Sequence, residues 1–354
     1  MASSDETIYI LPELRFGGIQ IFALDMAYHQ VNLGNKVKIF SIGKNTLVLN
    51  RYSIKKKEAL KKVIFLTNIF KIYAYLLKSL ILMRTINIHT QGHLLTYFGI
   101  FSCFKNFKMV HTIQNQAEYE VGKKRRIIHS FYFNKMSVLT VSNSKEIAKS
   151  FSSYYGFDSM YTIMNGIDFD NLAISEIEPE VLKGNDNHVS LLTIGSFGHH
   201  KNQKMLIESF IAINDPNCSL YVIGKNYDNY LDTKYLENIK KYSIYFLGEV
   251  NNSMEYMDKC DIFCMSSRNE GLPLVLMEAK LKNMIVVTTD TGGSKEIIDK
   301  NDFLVNLGDV DGYTKALEKS IKNFRKKPIK PLNANSANFF KIQRCFDEYL
   351  DVWK

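Results

Sequence analysis

Cysteine is scarce in this chain of 354 residues: there are five, at positions 103, 218, 260, 264 and 345. An odd, scattered set excludes a disulfide framework and suits a reducing compartment. Cys260 and Cys264 have a metal-like spacing but no second ligand pair nearby, so they read as buried, inert thiols. The dinucleotide fingerprint G-x-G-x-x-G is missing, and so is the P-loop G-x-x-x-x-G-K-[ST]. There is no internal repeat and no low-complexity tract. The start, Met1-Ala2-Ser3-Ser4-Asp5-Glu6, lacks the positive end and long apolar run of a secretory signal. One tryptophan and no recognisable nucleic-acid module argue against a nucleic-acid partner, although the formal charge is +9.

What is present is a globular composition, 46% hydrophobic, in a chain long enough for two ordinary domains. The charge is uneven. Residues 1–170 hold 22 Lys+Arg against 11 Asp+Glu, a net +11; the remainder holds 23 against 25, a net −2. The first half is therefore expected to meet an anionic surface or substrate. Lys55-Lys56-Lys57 and Lys61-Lys62 precede Val63–Met83, an apolar stretch broken by Lys71 and Lys78. Two inner lysines exclude a membrane span, since each costs roughly 2.5–3.5 kcal/mol at a bilayer centre. The stretch fits either an interfacial membrane segment or a pair of core helices with a solvated lysine edge. Lys123-Lys124-Arg125-Arg126 is a second basic cluster.

Strand and helix patterns alternate almost throughout, which predicts an α/β fold with parallel sheets. In the first half, strands are expected at Thr7–Leu11, Lys36–Ile42, Ile86–His89, Phe107–Ile113 and Val138–Val141. Helices are expected at Ile19–Leu33 and, capped by Ser142-Asn143, at Ser144–Phe151. Asn165-Gly166-Ile167-Asp168 is a turn signature, and polar residues 170–187 form the hinge. The alternation then restarts. Strands are expected at Val189–Ile194, Ser219–Ile223, Ile244–Leu247, Ile262–Met265, Met284–Thr288 and Phe303–Val305. Helices are expected at Gln203–Ile213, Leu274–Leu281 and Gly292–Ile298, with a helical start at Met254–Met257. Phe339–Trp353 is an amphipathic helix. Strands that end in glycine put loops at the carboxyl edge of a sheet, where open α/β folds bind ligands.

The richest stretch is Asn269–Ala279, NEGLPLVLMEA. Two carboxylates, Glu270 and Glu278, flank a turn in which Pro273 suits the first position of an apolar helix. Free N–H groups at a helix start bind anions, and a nearby carboxylate accepts bonds from sugar hydroxyls. Phosphate and polyol held side by side describe a nucleotide-sugar. Gly195-Ser196-Phe197-Gly198-His199-His200-Lys201-Asn202 follows a strand, and Lys201 sits where a cation would neutralise a diphosphate. The adjacent His199 and His200 point apart and have no evident metal partners. Asp168-Phe169-Asp170 has the form of an Asp-x-Asp metal motif, but its place after a turn favours a hinge. Gly17-Gly18 is the one glycine pair near the first strand, free to approach a ligand closely.

In this order, Gly17-Gly18, Asn165–Asp168, Gly195…Lys201-Asn202, Phe246-Leu247-Gly248, Ser266…Glu270-x7-Glu278-Ala279 and Thr291-Gly292-Gly293-Ser294-Lys295-Glu296, the chain resembles the retaining glycosyltransferases of family 4, with the GT-B fold. The resemblance runs over nearly the whole chain and is most specific in Ser266–Glu296. It implies two Rossmann-like domains facing across a cleft: residues 1–170 with helix 339–354 for the acceptor, and residues 171–338 for the nucleotide-sugar. It implies that Glu278 holds the ribose, that Glu270 meets the transferred sugar, and that Lys201 and backbone N–H groups near Gly271, Leu272, Leu274 and Val275 hold the diphosphate. Gly17 and Gly18 would approach the phosphates, Ser196 would donate to them, and the backbone at Val250 would meet the base.

Two departures stand out. Ser196 replaces a frequent arginine, and Gln114, in Thr112-Ile113-Gln114-Asn115, stands where many members have a histidine. Gln114 cannot take a proton at neutral pH. His93, His111 and Asn115 are the other candidates on the acceptor side. The implied chemistry is sugar transfer with retention and same-face attack, in which the leaving diphosphate takes the acceptor proton. No metal and no cofactor are implied; a UDP- or GDP-sugar is co-substrate. The basic first half points to a lipid-linked saccharide acceptor at the inner face of a bacterial membrane, in cell-surface polysaccharide synthesis. The alternative is a non-hydrolysing sugar-nucleotide epimerase of similar architecture.

Overall fold

The computed structural model describes residues 6–13, 17–43, 52–171, 187–250, 253–326 and 338–354. The chain divides into two compact units, Met1–Ala173 with Asn338–Lys354, and Ile174–Ala337. Most of the expected hinge, residues 172–186, lies outside the described residues, as do 14–16 of the loop before Gly17.

The first unit is built on seven parallel strands: β1 (Glu6–Leu11), β2 (Lys36–Ser41), β3 (Ile64–Thr67), β4 (Ile86–Gln91), β5 (Phe107–Ile113), β6 (Val138–Ser142) and β7 (Tyr161–Thr162). Their order is β3-β2-β1-β4-β5-β6-β7. The helices are α1 (Gly18–Asn32), α2 (Ile54–Leu60), α3 (Ile69–Ile81), α4 (Leu95–Phe98), α5 (Ala117–Val121), α6 (Lys123–Lys135) and α7 (Lys145–Tyr155). Every residue of β1 is buried, as a strand covered on both faces requires. Because side chains alternate, Tyr9 and Leu11 enter one core while Ile8 and Ile10 enter another. The first core holds α1 and Leu60 of α2. The second holds Ile72 and Leu76 of α3, with Phe98 and Phe101. Helices α2 and α3 therefore cover opposite faces of the sheet.

The apolar stretch 63–83 is thus not one segment. Asn68 breaks it with φ +97°, and its Oδ1 accepts from the Phe70 N–H at 2.8 Å, which starts α3. Nor is the basic run before it a uniform solvated edge. Lys56 is fully buried, with its ammonium 2.6 Å from Asp25 Oδ1 and 2.6 Å from Asp168 Oδ2. Tyr52 Oη donates to Asp25 at 3.0 Å, and Asn171 Nδ2 donates to Asp168 at 2.8 Å. One cation between two carboxylates pins α2 and α1 to the segment that follows β7.

The second unit carries β8 (Val189–Ile194), β9 (Cys218–Ile223), β10 (Ile244–Gly248), β11 (Ile262–Met265), β12 (Ile285–Thr289) and β13 (Phe303–Val305), all parallel, in the order β10-β9-β8-β11-β12-β13. Its helices are α8 (Gln203–Ile213), α9 (Tyr227–Tyr230), α10 (Thr233–Ile239), α11 (Ser253–Lys259), α12 (Leu274–Leu281) and α13 (Val310–Lys326). The expected helix after Gly292 is a short 3-10 turn, Gly292–Glu296. Pro273 flanks α12 with ψ 104°, so the helix begins one residue later than its proline suggests. All five cysteines are free, and Cys260 and Cys264 are buried.

The last helix, α14 (Ile342–Trp353), returns to the first unit and packs Phe346, Tyr349 and Trp353 into the α1 core. It starts three residues later than its amphipathic pattern because Lys341 forms a parallel bridge with Ile167. Gly166 is required beside that bridge, where a Cβ would lie 2.5 Å from Ile342 Cα. No helix among the described residues is long and apolar enough to cross a membrane.

Replacing Lys56 with methionine leaves Asp25 and Asp168 buried against each other. The expected loss is about 3–5 kcal/mol of stability in urea melts.

Candidate active site

The carboxyl edge of the second sheet gathers the loops singled out in the sequence. The loop after β8 is bound to its neighbours through Gly195 N–H to Ile223 O at 2.9 Å and Phe197 N–H to Lys225 O at 2.9 Å. Gln203, at the start of α8, turns its amide back to donate to the carbonyls of Gly195 and Ser196, each at 3.1 Å. Ser266 Oγ, at the end of β11, donates to the carbonyls of Lys201 and Asn202 at 3.2 and 3.0 Å. The Lys201 loop is thereby fastened to the loop that carries Glu270.

Between these loops the Lys201 ammonium lies 2.5 Å from Glu270 Oε1, and Ser267 Oγ donates to the same oxygen at 2.9 Å. Glu270 is held from below by backbone. Gly293 N–H donates to Gly271 O at 2.7 Å. Gly292 has φ +51°, and a Cβ there would stand 2.2 Å from Glu270 O. Only glycine fits that floor. Burial, and then the Lys201 charge, lower the His200 pKa below the ordinary histidine value.

Helix α12 follows directly, with no side-chain cap at its start. Leu274 and Val275 form its first turn, Leu272 is buried beneath it, and Glu278 is buried one turn further on. Lys201 contacts Glu270, and the positive end of α12 begins four residues after Glu270, an arrangement suited to a diphosphate beside a hydroxyl-bearing group. Val250 is half-buried at a different strand end, two residues beyond Gly248, whose carbonyl accepts from Gly224 N–H at 2.8 Å. Ser196 is exposed.

In the first unit Gly17 is the residue before α1, in extended backbone, with Gly18 the first of the helix. Gln114 leaves β5 with its side-chain carbonyl accepting from Asn143 Nδ2 at 3.0 Å and Asn165 Nδ2 at 2.9 Å. Its Nε2 is buried without a partner. The backbone N–H groups of Gln114 and Asn115 both donate to Glu120 Oε2 at 2.7 Å. His93 is half-buried in the turn after β4. His111 is fully buried in mid-strand, with Nδ1 2.9 Å from Thr90 Oγ1 and its ring against His129 and Phe133. It faces the α6 layer rather than the strand ends.

Sequence reasoning missed Glu120, Asn143 and Asn165 as partners of Gln114. Asn143 and Asn165 were visible only as cap and turn residues. The helix cap is Ser144, whose Oγ accepts from Ile147 N–H at 3.1 Å, which leaves Asn143 for Gln114. Asp168 is taken by Lys56, so Asp168-Phe169-Asp170 does not offer two unengaged carboxylates to a cation. Among the described residues no three His, Cys, Asp or Glu side chains gather as a metal site.

Residues 175–333 match the family model described as glycosyl transferases group 1. The match falls within the second unit, which is thus similar to group 1 glycosyltransferases. An O-antigen biosynthesis glycosyltransferase of Escherichia coli, WbnH, is 30% identical over 170 residues, 45% of this chain and 47% of that protein. A UDP-Gal:alpha-D-GlcNAc-diphosphoundecaprenol alpha-1,3-galactosyltransferase of the same organism is 25% identical over 209 residues, 54% of each chain. The chain thus spans about half the length of the curated relatives it matches. The crystal structure of HepE from Anabaena with UDP and glucose superposes with a TM-score of 0.77 at 16% identity, over 99% of both chains. The fold is accordingly that of GT-B glycosyltransferases, with two parallel-sheet Rossmann-like domains, as the sequence resemblance implied.

Burial pushes the Glu120 carboxyl up to about 7, although the N–H groups of Asn115 and Gln114 oppose the shift. A carboxyl raised on folding binds its proton more tightly in the folded state, so its contribution is full at low pH and is lost as pH rises. The stability of the wild type relative to Glu120→Gln should therefore fall between pH about 4.5 and about 7. Paired urea melts across that range read it.

Proposed function

We propose that the protein transfers a sugar from a UDP-sugar to a hydroxyl of a lipid-linked saccharide, with retention at the anomeric carbon and without a metal, in the synthesis of a bacterial surface polysaccharide. The observation that carries this reading is the Lys201–Glu270 pair at 2.5 Å, set between the β8 loop and the start of α12. A diphosphate at that helix start would draw the Lys201 ammonium and free Glu270 to accept bonds from sugar hydroxyls. Glu278 would hold the ribose. The first domain would present the acceptor at the β4 and β5 ends, near His93, Gln114 and Asn115. Gln114 cannot act as a base, and the departing diphosphate would take the acceptor proton. Catalysis would then rest on positioning and on charge stabilisation of the leaving group.

HepE supports the donor class, since that protein was crystallised with UDP and glucose. The galactosyltransferase relative supports the acceptor class, since its name specifies a diphosphoundecaprenol-linked sugar. An epimerase would consume donor with no acceptor, and none of these similarities favours it. The protein would work in the cytoplasm, peripherally at the inner face of the membrane.

A panel of UDP-, GDP- and ADP-sugars, scored for nucleoside diphosphate release with membrane lipid extract as acceptor, tests the reading. UDP release that depends on extract and survives EDTA is expected; UDP release indifferent to extract would replace transfer with hydrolysis, and conversion of the donor to its epimer with no UDP released would replace it with epimerisation. Lys201→Ala should lower kcat by roughly a hundredfold or more, as loss of one charge-stabilising group does elsewhere. Single-turnover rates at saturating donor measure it, and an unchanged rate would take Lys201 out of the chemistry.

A further inference from the structure

Of the 20 exposed large hydrophobic side chains among the described residues, seven lie on one layer of the first unit formed by α3, Ile100 and α6. On α3, Phe70, Leu77 and Ile81 share a face at spacings of seven and four, and Phe70 and Ile81 are 81% and 79% exposed. On α6, Ile127 and Phe131 are one turn apart, and Ile127 is 77% exposed. The layer is continuous. Tyr73 of α3 stacks on Phe98 with ring centroids 5.3 Å apart, and the next residue, Gly99, lies against the Tyr132 ring of α6 so closely that a Cβ would stand 2.5 Å from it. Ile100 is exposed between the two helices.

The rim of this apolar surface carries one sign of charge. Lys71, Lys78 and Arg84 flank the α3 stripe, and Lys123 and Lys124 open α6, all exposed. Between Glu58 and Glu118 the chain has no acidic residue, and it has none from Val121 to Lys145. Solvated packing alone does not explain bulky apolar groups left in water beside cations that no carboxylate on either helix can neutralise. A second copy of the chain is a poor occupant, because a two-fold contact would bring this basic rim against itself. An anionic bilayer answers both features, with acyl chains for the stripe and lipid phosphates for the rim.

We infer that the outer face of the α3, Ile100 and α6 layer is the surface by which this protein docks on an anionic membrane, and that the lysines of α2 take no part. The inference rests on the lipid-linked acceptor reading and gives it a location. It also divides the basic run of the sequence. Lys56 is consumed in a buried ion pair, and α2 covers the opposite face of the sheet from α3.

The test is sedimentation of the full chain at low salt with vesicles of phosphatidylcholine containing about 30 mol % phosphatidylglycerol, without nucleotide or acceptor. Wild type should pellet with these vesicles and stay in solution with pure phosphatidylcholine. Leu77→Asp with Ile81→Asp, and separately Ile127→Asp with Phe131→Asp, should each weaken partitioning by about tenfold or more without lowering Tm, because the replaced side chains are exposed. Lys55→Gln with Lys57→Gln should bind as wild type does.

Wild type that stays in the supernatant overturns the inference. So does binding that persists in both aspartate pairs, or binding lost only in the α2 variant. Sedimentation velocity showing a dimer that the aspartate pairs dissociate would make the face a self-interface and also overturn it. Donor turnover is measured apart from vesicles, so failure here leaves the transferase reading standing, and failure there leaves this surface standing.

Discussion

A parallel strand can be followed only by a loop that leaves at its carboxyl end, and both sheets of this protein are wholly parallel. That constraint puts every strand-ending loop of a domain along one edge. In the second domain it brings Gly195, Gly224 and Gly248 into one hydrogen-bonded row and sets Lys201 against Glu270, 69 residues away in sequence. In the first domain the same edge collects Gly92, Gln114 and Asn143 from three successive strand ends. The backbone leaves these side chains nowhere else to converge.

The second domain was the more legible half. Its strands are short apolar runs ended by glycine, and its site residues lie within a few positions of those glycines. Strand β8, helix α8, strand β11, helix α12 and strand β13 have the bounds their patterns predict. The first domain was harder to read because tertiary partners override local pattern. Residues 63–83 look continuous, and only the left-handed Asn68 splits them into an edge strand and a helix. Helix α6 opens with four cations and carries a single buried residue, His129, so its sequence offers no apolar stripe to find. Lys56 sits in a lysine run, yet it is the buried member because Asp25 and Asp168 wait for it 31 and 112 residues away. No local spacing reports such pairings.

The two ion pairs described above treat charge differently. In the first, Lys56 is sealed between carboxylates with no exposure, a pair whose desolvation is offset only by completeness of contact. In the second, Lys201 and Glu270 retain partial exposure and share a single contact oxygen. The sealed pair is suited to holding segments in place. The open pair is suited to exchange, because an incoming anion need not pay to desolvate the ammonium and can compete for it directly.

That difference bears on Ser196, which stands where the sequence resemblance implies a frequent arginine. With Ser196 in its place, the β8 loop offers one side-chain cation, Lys201, whose charge is already balanced by Glu270. A diphosphate carries more charge than one carboxylate, so it can win the ammonium, but it does so against an existing bond. In the proposed transfer, binding energy would thereby be withheld from the ground state and become available as charge grows on the leaving phosphate, when the ammonium would be drawn furthest from Glu270. Backbone N–H groups at the start of α12 are fixed and bind ground and transition states alike. Within this proposed mechanism the lysine would supply the differential part of the stabilisation and the helix the constant part.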